Sequence, residues 1–137
     1  MRRIILISCV SKKLSYKTTA KDLYVSTLFK LNYEYALSLN PDKIFILSAK
    51  YGLLHLKDEI APYDETLNTK STMEISHWAE SVLEQLRKEV DLEEDEVIFL
   101  AGEKYRKYLL PYIKNYKIPL KGLSIGKQLQ FLKEVTK

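Results

Sequence analysis

The residues best suited to chemistry stand where apolar runs stop. The single cysteine, Cys9, follows the run 4–7 and Ser8, and Lys12 and Lys13 come three and four residues later. Ammonium groups beside a thiol favour the thiolate, its nucleophilic form; a cysteine is also a small hydrophobe, and both roles are open at Cys9. Two later places repeat the pattern: Ser48 and Ala49 precede Lys50, Tyr51 and Gly52, while Ala101 and Gly102 precede Lys104 and Tyr105. Small residues admit a ligand to the backbone, lysines attract anions, and tyrosines supply a stacking face with a hydroxyl. For Gly52 and Gly102 a plain backbone turn is the preferred reading, with ligand approach the alternative. Asp64 lies in the long segment "EIAPYDETLN" (59–68), where its carboxylate is either a general base or a solvated turn residue.

The elements that must position these groups follow from periodicity. Runs 4–7, 44–47 and 97–100 are continuously apolar and rich in branched residues, the pattern of strands covered on both faces. A weaker run at 120–123 is a fourth candidate. Between them the spacing turns helical. Leu28, Leu31, Tyr35 and Leu39 form a stripe that Ser26 can cap, and residues 74–90 form a second, with Ser71 or Thr72 as cap. Segments "EKYRKYLLPYI" and "GKQLQFLKEV" supply two more helices, the first interrupted by Pro111. Alternating strands and helices predict a small three-layer α/β domain spanning residues 1–137, with a mainly parallel four-stranded sheet flanked by helices. In such sheets ligands bind outside the carboxyl ends of the strands, which is where the three small-residue, lysine and tyrosine clusters fall.

Composition narrows the function classes. Apolar residues make up 46% and charged residues 29% of 137, which describes a globular chain rather than a fibrous or disordered one. One cysteine makes no internal disulfide and no Cys/His spacing fits zinc, so a reducing, cytoplasmic setting is expected. The N-terminal apolar run is too short and too soon followed by lysines for a signal peptide, and nothing later is long enough to span a membrane. No GxGxxG or Walker sequence is present, so no dinucleotide or P-loop cofactor is expected. Charge is strongly segregated. Residues 1–57 hold 10 Lys/Arg against 3 Asp/Glu, residues 58–103 hold 3 against 14, and residues 104–137 hold 9 against 1. Basic ends brought side by side would attract phosphates or nucleic acid; as separate helix faces they would only be solvated.

The strings "SCVSKK", "AKDLYVSTLF", "ILSAKYGLL", "PYDETL", "LAGEKY" and "PLKGLSIGKQLQFL" together resemble a family of small bacterial and phage proteins of unknown function, over nearly the whole chain. More distantly the chain is similar to YaaA-type peroxide-stress-response proteins and to the catalytic domain of archaeosine synthase, which acts on a 7-deazaguanine base in transfer RNA. That domain carries Pro-Cys, three residues, Lys-Pro-Tyr, two residues, Ser, two residues, His. Cys9 and Lys13 have its first spacing, and Tyr24 and Ser26 stand for its Tyr and Ser. Ser8 replaces the Pro, ten residues separate Lys13 from Tyr24, one residue separates Tyr24 from Ser26, and Phe29 stands where His would be. The four-strand plan also looks like that of uracil-DNA glycosylases, which implies the sheet order 2-1-3-4.

Two functions are therefore expected. The first is an enzyme acting on a nucleobase or nucleotide, free or in nucleic acid, by base modification or glycosidic-bond chemistry. In it Cys9 is nucleophile or base contact, and Lys12 and Lys13 meet phosphate or the transition state. Tyr24 and Tyr51 stack or hydrogen-bond, and Asp64 is a base. Ser8, Ser26, Ser48, Lys50, Gly52, Gly102 and Tyr105 complete the ligand contacts. The alternative is a non-catalytic nucleic-acid-binding module using the two basic segments.

Overall fold

The computed structural model describes residues 1–137. Strand β1 (Arg3–Ser8) lies at the centre of the main sheet. Ile4, Ile5, Leu6 and Ile7 are all fully buried, so both faces of this strand are covered, as its unbroken apolar run requires. After the two-residue strand β2 (Thr18–Thr19) and the short helix α1 (Ala20–Leu23) comes helix α2 (Thr27–Ser38), then β3 (Lys43–Ser48), which pairs parallel to β1. A hairpin returns as β4 (Gly52–His55), antiparallel to β3, and β5 (Glu59–Ile60) pairs with β2 in a separate small sheet.

Helix α3 (Thr72–Arg87) then carries the chain back across the sheet to β6 (Glu96–Leu100), parallel to β1 on its other side. Helix α4 (Glu103–Arg106) leads to β7 (Asn115–Lys117), parallel to β6, and α5 (Ile125–Val135) ends the fold. The sheet is mixed and mostly parallel, with order β4-β3-β1-β6-β7. The first crossover moves away from β1 in one direction and the next in the other. Right-handed connections therefore put α2 and α3 on opposite faces and open a crevice at the carboxyl ends of β1 and β6.

The four parallel strands follow the expected order, with two corrections. The fourth is Asn115–Lys117 rather than 120–123, and an antiparallel strand, β4, makes the sheet five-stranded. Strand β7 lies at the sheet edge with all three residues exposed, so it carries no apolar signature, whereas Leu120 is buried from a turn that Gly122 closes at φ +81°.

Helix α2 begins at Ser26, whose Oγ accepts from the Phe29 amide at 3.1 Å. Its deepest stripe is Phe29, Asn32 and Ala36, one position on from the predicted Leu28, Leu31, Tyr35 and Leu39. Those four are half-buried, and Tyr35 meets Phe131 of α5 edge-on, so this helix serves two neighbours at once. Helix α3 is fixed by a capping box between Ser71 and Glu74 and buries Ile75, Ala79, Val82, Leu83 and Leu86. The segment 103–113 is not one helix. It is α4 followed by a 3-10 turn, Leu110–Tyr112, because Pro111 cannot continue an α-helical ladder.

Candidate functional site

Cys9 lies one residue beyond β1, held there by its own amide, which donates to the Leu47 carbonyl at 2.9 Å. Its thiol donates to the Tyr105 hydroxyl at 3.5 Å. Tyr105 comes from α4, after β6, so this contact bridges the two strand ends that bound the crevice. The same hydroxyl accepts from the Leu67 amide at 3.3 Å, and the ring stands edge-on to Trp78 of α3. Burial raises the Tyr105 phenol to about 12, helped by its contact with Cys9, so Tyr105 stays protonated through the neutral range.

Lys13 reaches the same place by a detour. The chain leaves β1, pairs Lys13 with Tyr24 in an isolated antiparallel bridge, and ties Leu14 to Leu23 and Val25 to Lys12 through backbone hydrogen bonds. The ten residues between Lys13 and Tyr24 are thus a closed excursion, and the two flanking residues are neighbours in space. Lys13 Nζ lies 4.4 Å from the centre of the Tyr63 ring, a cation–π distance. Partial burial lowers the Lys13 pKa, against the electrostatic pull of Cys9 and Asp64.

Behind Lys13 runs a buried hydroxyl chain. Tyr24 and Tyr63 share a 2.6 Å hydrogen bond, Ser48 Oγ donates to the Tyr63 hydroxyl at 2.7 Å, and Ser48 accepts from the amides of Lys50 and Tyr51. Desolvation pushes both phenols well above the ordinary tyrosine value, so both are neutral. Trp78 Nε1 closes the cluster by donating to the Ser48 carbonyl at 2.8 Å. Every polar atom in this chain has a partner, which is what allows hydroxyls inside an apolar core.

Two cavities share Cys9 and Tyr105 in their lining. One, of about 310 Å³, is lined by Cys9, Lys13, Asp64, Glu65, Thr66 and Tyr105 among others. The other, of about 300 Å³, lies at the β1/β6 crevice and is lined by Ser8, Cys9, Gly102 and Tyr105, together with Asn32 of α2 and Gln128 of α5. Lys104 and Arg106 stand at the second cavity, bringing part of the C-terminal basic segment beside the N-terminal one. A larger concavity of about 970 Å³ lies at the opposite end of the strands, near Arg2, Asp91 and Lys114, and contains no thiol or tyrosine pair of this kind.

Of the residues singled out in the sequence, Cys9, Lys13, Asp64 and Tyr105 share the first cavity, and Ser8, Cys9, Gly102 and Tyr105 share the second. The remainder lie elsewhere. Lys12 is exposed just before the excursion; Tyr24 and Ser48 are buried in the hydroxyl network; Ser26 caps α2. Lys50 and Tyr51 form the exposed turn of the β3–β4 hairpin, with Tyr51 edge-on to Tyr63. Gly52 is buried against Gln85 at φ +76°, so its role is in the hairpin. His55, outside this set, pairs with Glu89 and Asp58 at the sheet edge. No group of three His, Cys, Asp or Glu side chains is arranged to hold a metal, and no helix is long and apolar enough to cross a membrane.

Asn32 and Tyr63 were not foreseen. Tyr63 belongs to the acidic loop, where a tyrosine gives no periodic signal. Asn32 had one: it stands three residues after Phe29 and four before Ala36, a polar residue on a core stripe.

Residues 4–134 match the family of unknown function DUF6884. The chain belongs to this family. A UPF0246 protein of Lactobacillus helveticus (strain DPC 4571) is 31% identical over 107 residues, which are 74% of this chain and 38% of that protein. The chain therefore spans well under half the length of this curated relative. The resemblances to a family of unknown function and to YaaA-type proteins both stand on these matches. No solved structure matches the chain.

Proposed function

We propose that this DUF6884 protein is an enzyme acting on a nucleobase or nucleotide, free or within nucleic acid, by base modification or glycosidic-bond chemistry. The observation that carries the reading is the meeting of Cys9, Lys13, Asp64 and Tyr105 around one cavity of about 310 Å³ at the carboxyl ends of parallel strands. A nucleophile, a carboxylate, a cation and a neutral phenol are the parts that addition to, or proton transfer at, a heterocycle needs. Cys9 Sγ is the nucleophile or base contact, and Asp64 accepts a proton. Lys13, its charge made easier to lose by burial, stabilises developing negative charge or moves a proton. Tyr105 donates from a hydroxyl that stays neutral. Cavities near 300 Å³ are at the small end for ligand sites and suit a base or nucleoside rather than a dinucleotide. A free thiol at the centre fits a reducing, cytoplasmic setting.

The test is a mass-spectrometric search for product after incubation with free bases, nucleosides, nucleotides and digests of treated DNA and RNA. Product from the native protein, and its loss in Cys9→Ala and Asp64→Ala, is the expected result. Full activity in both variants would remove these residues from the reaction.

The second reading, a nucleic-acid-binding module without turnover, draws on Lys104 and Arg106 lying beside the Ser8–Cys9 strand end. It requires binding that weakens steeply with salt, because each phosphate contact releases counterions. Filter binding at two salt concentrations decides: binding that ignores salt eliminates the module.

A further inference from the structure

Neither atom of the Asn32 side-chain amide bonds within the protein. Oδ1 is sealed in the fold with no donor, and Nδ2, equally unbonded, carries the amide's accessible surface in a residue only 6% exposed. Natural folds pair nearly all such groups, so a bond-free amide on a stripe otherwise made of Phe29 and Ala36 calls for a ligand. Asn32 lines the cavity of about 300 Å³ at the β1/β6 crevice, where Nδ2 is a spare donor. The same cavity gathers positive charge. Lys104 and Arg106 line it against one acid, Glu103, whereas the cavity of about 310 Å³ has Lys13 against Asp64 and Glu65. The charged ends are held at the cavity, since Arg106 Nη1 donates to the Ala101 carbonyl at 2.7 Å and Lys104 Nζ to the Asn68 carbonyl at 3.3 Å, and Ala101 and Asn68 are both lining residues. Neither cation forms a salt bridge. A guanidinium has five donors and an ammonium three, so most of theirs are free. Ile125, which lines the cavity too, is the first residue of α5, and no acid in that helix's first turn offsets its positive end.

We infer that this cavity is a phosphate subsite, in which Arg106, Lys104 and Asn32 Nδ2 hold a phosphate group of the nucleotide whose base lies against Cys9, Lys13 and Asp64 in the adjoining cavity. This deepens the nucleobase reading above and rests on it for the base alone. It narrows the substrate from a base, nucleoside or nucleotide to a phosphate-bearing one. The two cavities share Cys9, Val10, Asn68, Tyr105 and Ile125, so one ligand can span them. Charge decides which part goes where: two carboxylates in the first cavity repel a phosphate, and two cations in the second attract it. A guanidinium meets two phosphate oxygens with paired N–H groups, and an amide N–H meets a third. The apolar side chains of Leu28, Phe99 and Ile118 keep water from the anion and strengthen its hold on the cations.

The experiment titrates the full chain, with ¹⁵N-labelled side-chain amides, against inorganic phosphate, the four ribonucleosides, their 5′-monophosphates and the unphosphorylated tetranucleotide ApCpGpU. Phosphate alone is expected to shift the Asn32 side-chain resonances, and a phosphate-bearing probe to bind at least about tenfold more tightly than the nucleosides. Tighter binding of the tetranucleotide than of any monophosphate places the phosphate in a nucleic acid strand; the reverse places it in a free nucleotide. Arg106→Gln is expected to bring the preference for phosphate-bearing probes close to unity, and Asn32→Leu to reduce it several-fold. Lys104→Gln, at an exposed side chain, is expected to weaken it too and serves if either of those variants misfolds. Lys107→Gln, the same charge change outside the cavity lining, is expected to keep it. No response to phosphate, any monophosphate or the tetranucleotide at millimolar concentration, equal affinity for nucleosides and phosphate-bearing probes, or an equal loss in Lys107→Gln overturns the inference. Phosphate bound at Asn32 and Arg106 with no nucleoside bound or turned over leaves it standing while the nucleobase reading fails. Product formed from free bases or nucleosides with unchanged KM in Arg106→Gln does the reverse.

Discussion

Lys13 and Asp64 have the most measurable relationship in the site. Burial lowers the Lys13 pKa and the Asp64 carboxylate partly restores it. Replacing Asp64 by Asn removes that support, so the Lys13 titration midpoint, followed by ¹³C NMR of labelled lysine, moves further down. An unchanged midpoint on Asp64→Asn would mean that the two groups do not sense each other. The glycines give a paired contrast. Gly52 has φ +76° and a side-chain position already occupied by Gln85, so Gly52→Ala costs about 1–2 kcal/mol or more in urea unfolding. Gly102 has φ −64° and open space, so Gly102→Ala leaves stability within about 0.5 kcal/mol and changes only the cavity it lines. Sequence alone treated both as candidate ligand contacts, because a glycine's backbone angle is invisible until the chain is folded.

At the scale of elements, the first strand is tied to the acidic stretch before β6. Asp95 is buried; desolvation opposes its ionisation, but donors from the Asp91 and Arg2 amides and the Arg2 guanidinium outweigh it and hold its pKa below the ordinary carboxylate value. With the folded pKa depressed, this stabilisation is complete above an unfolded pKa of about 3.9 and disappears as pH falls through the folded value. Asp95→Ala is expected to lose about 2–3 kcal/mol at pH 7, and the gap between native and variant unfolding curves is expected to narrow below about pH 4. A gap that stays constant to pH 2 would assign the loss to packing. The three central strands and the long helices were legible because burial on both faces and the 3.6-residue period leave plain marks in runs such as 4–7 and Ile75–Leu86. Strand β7 was not, because an exposed edge strand has no apolar pattern, and the turn holding Leu120 imitates one. The α2 stripe was read one residue out because this helix divides its apolar residues between the core and α5.

Across the whole molecule, the segregated charge and the three small-residue clusters find different outcomes. The first and third clusters, at Cys9 and at Gly102–Tyr105, close on one crevice because β1 and β6 are adjacent and parallel. The second, at Ser48–Tyr51, turns into a hairpin and contributes through its buried Ser48 hydroxyl instead. Spacing along the chain could place residues at strand ends but could not show which strands are neighbours, nor that Lys13 and Tyr24 meet across ten residues. The most direct test of a Cys9-centred reaction is single-substrate kinetics on the product-forming nucleobase or nucleotide, native protein against Cys9→Ala. A fall in kcat of at least about 100-fold, about 2.7 kcal/mol of transition-state stabilisation, with KM within a few fold, is expected. An unchanged kcat would contradict it.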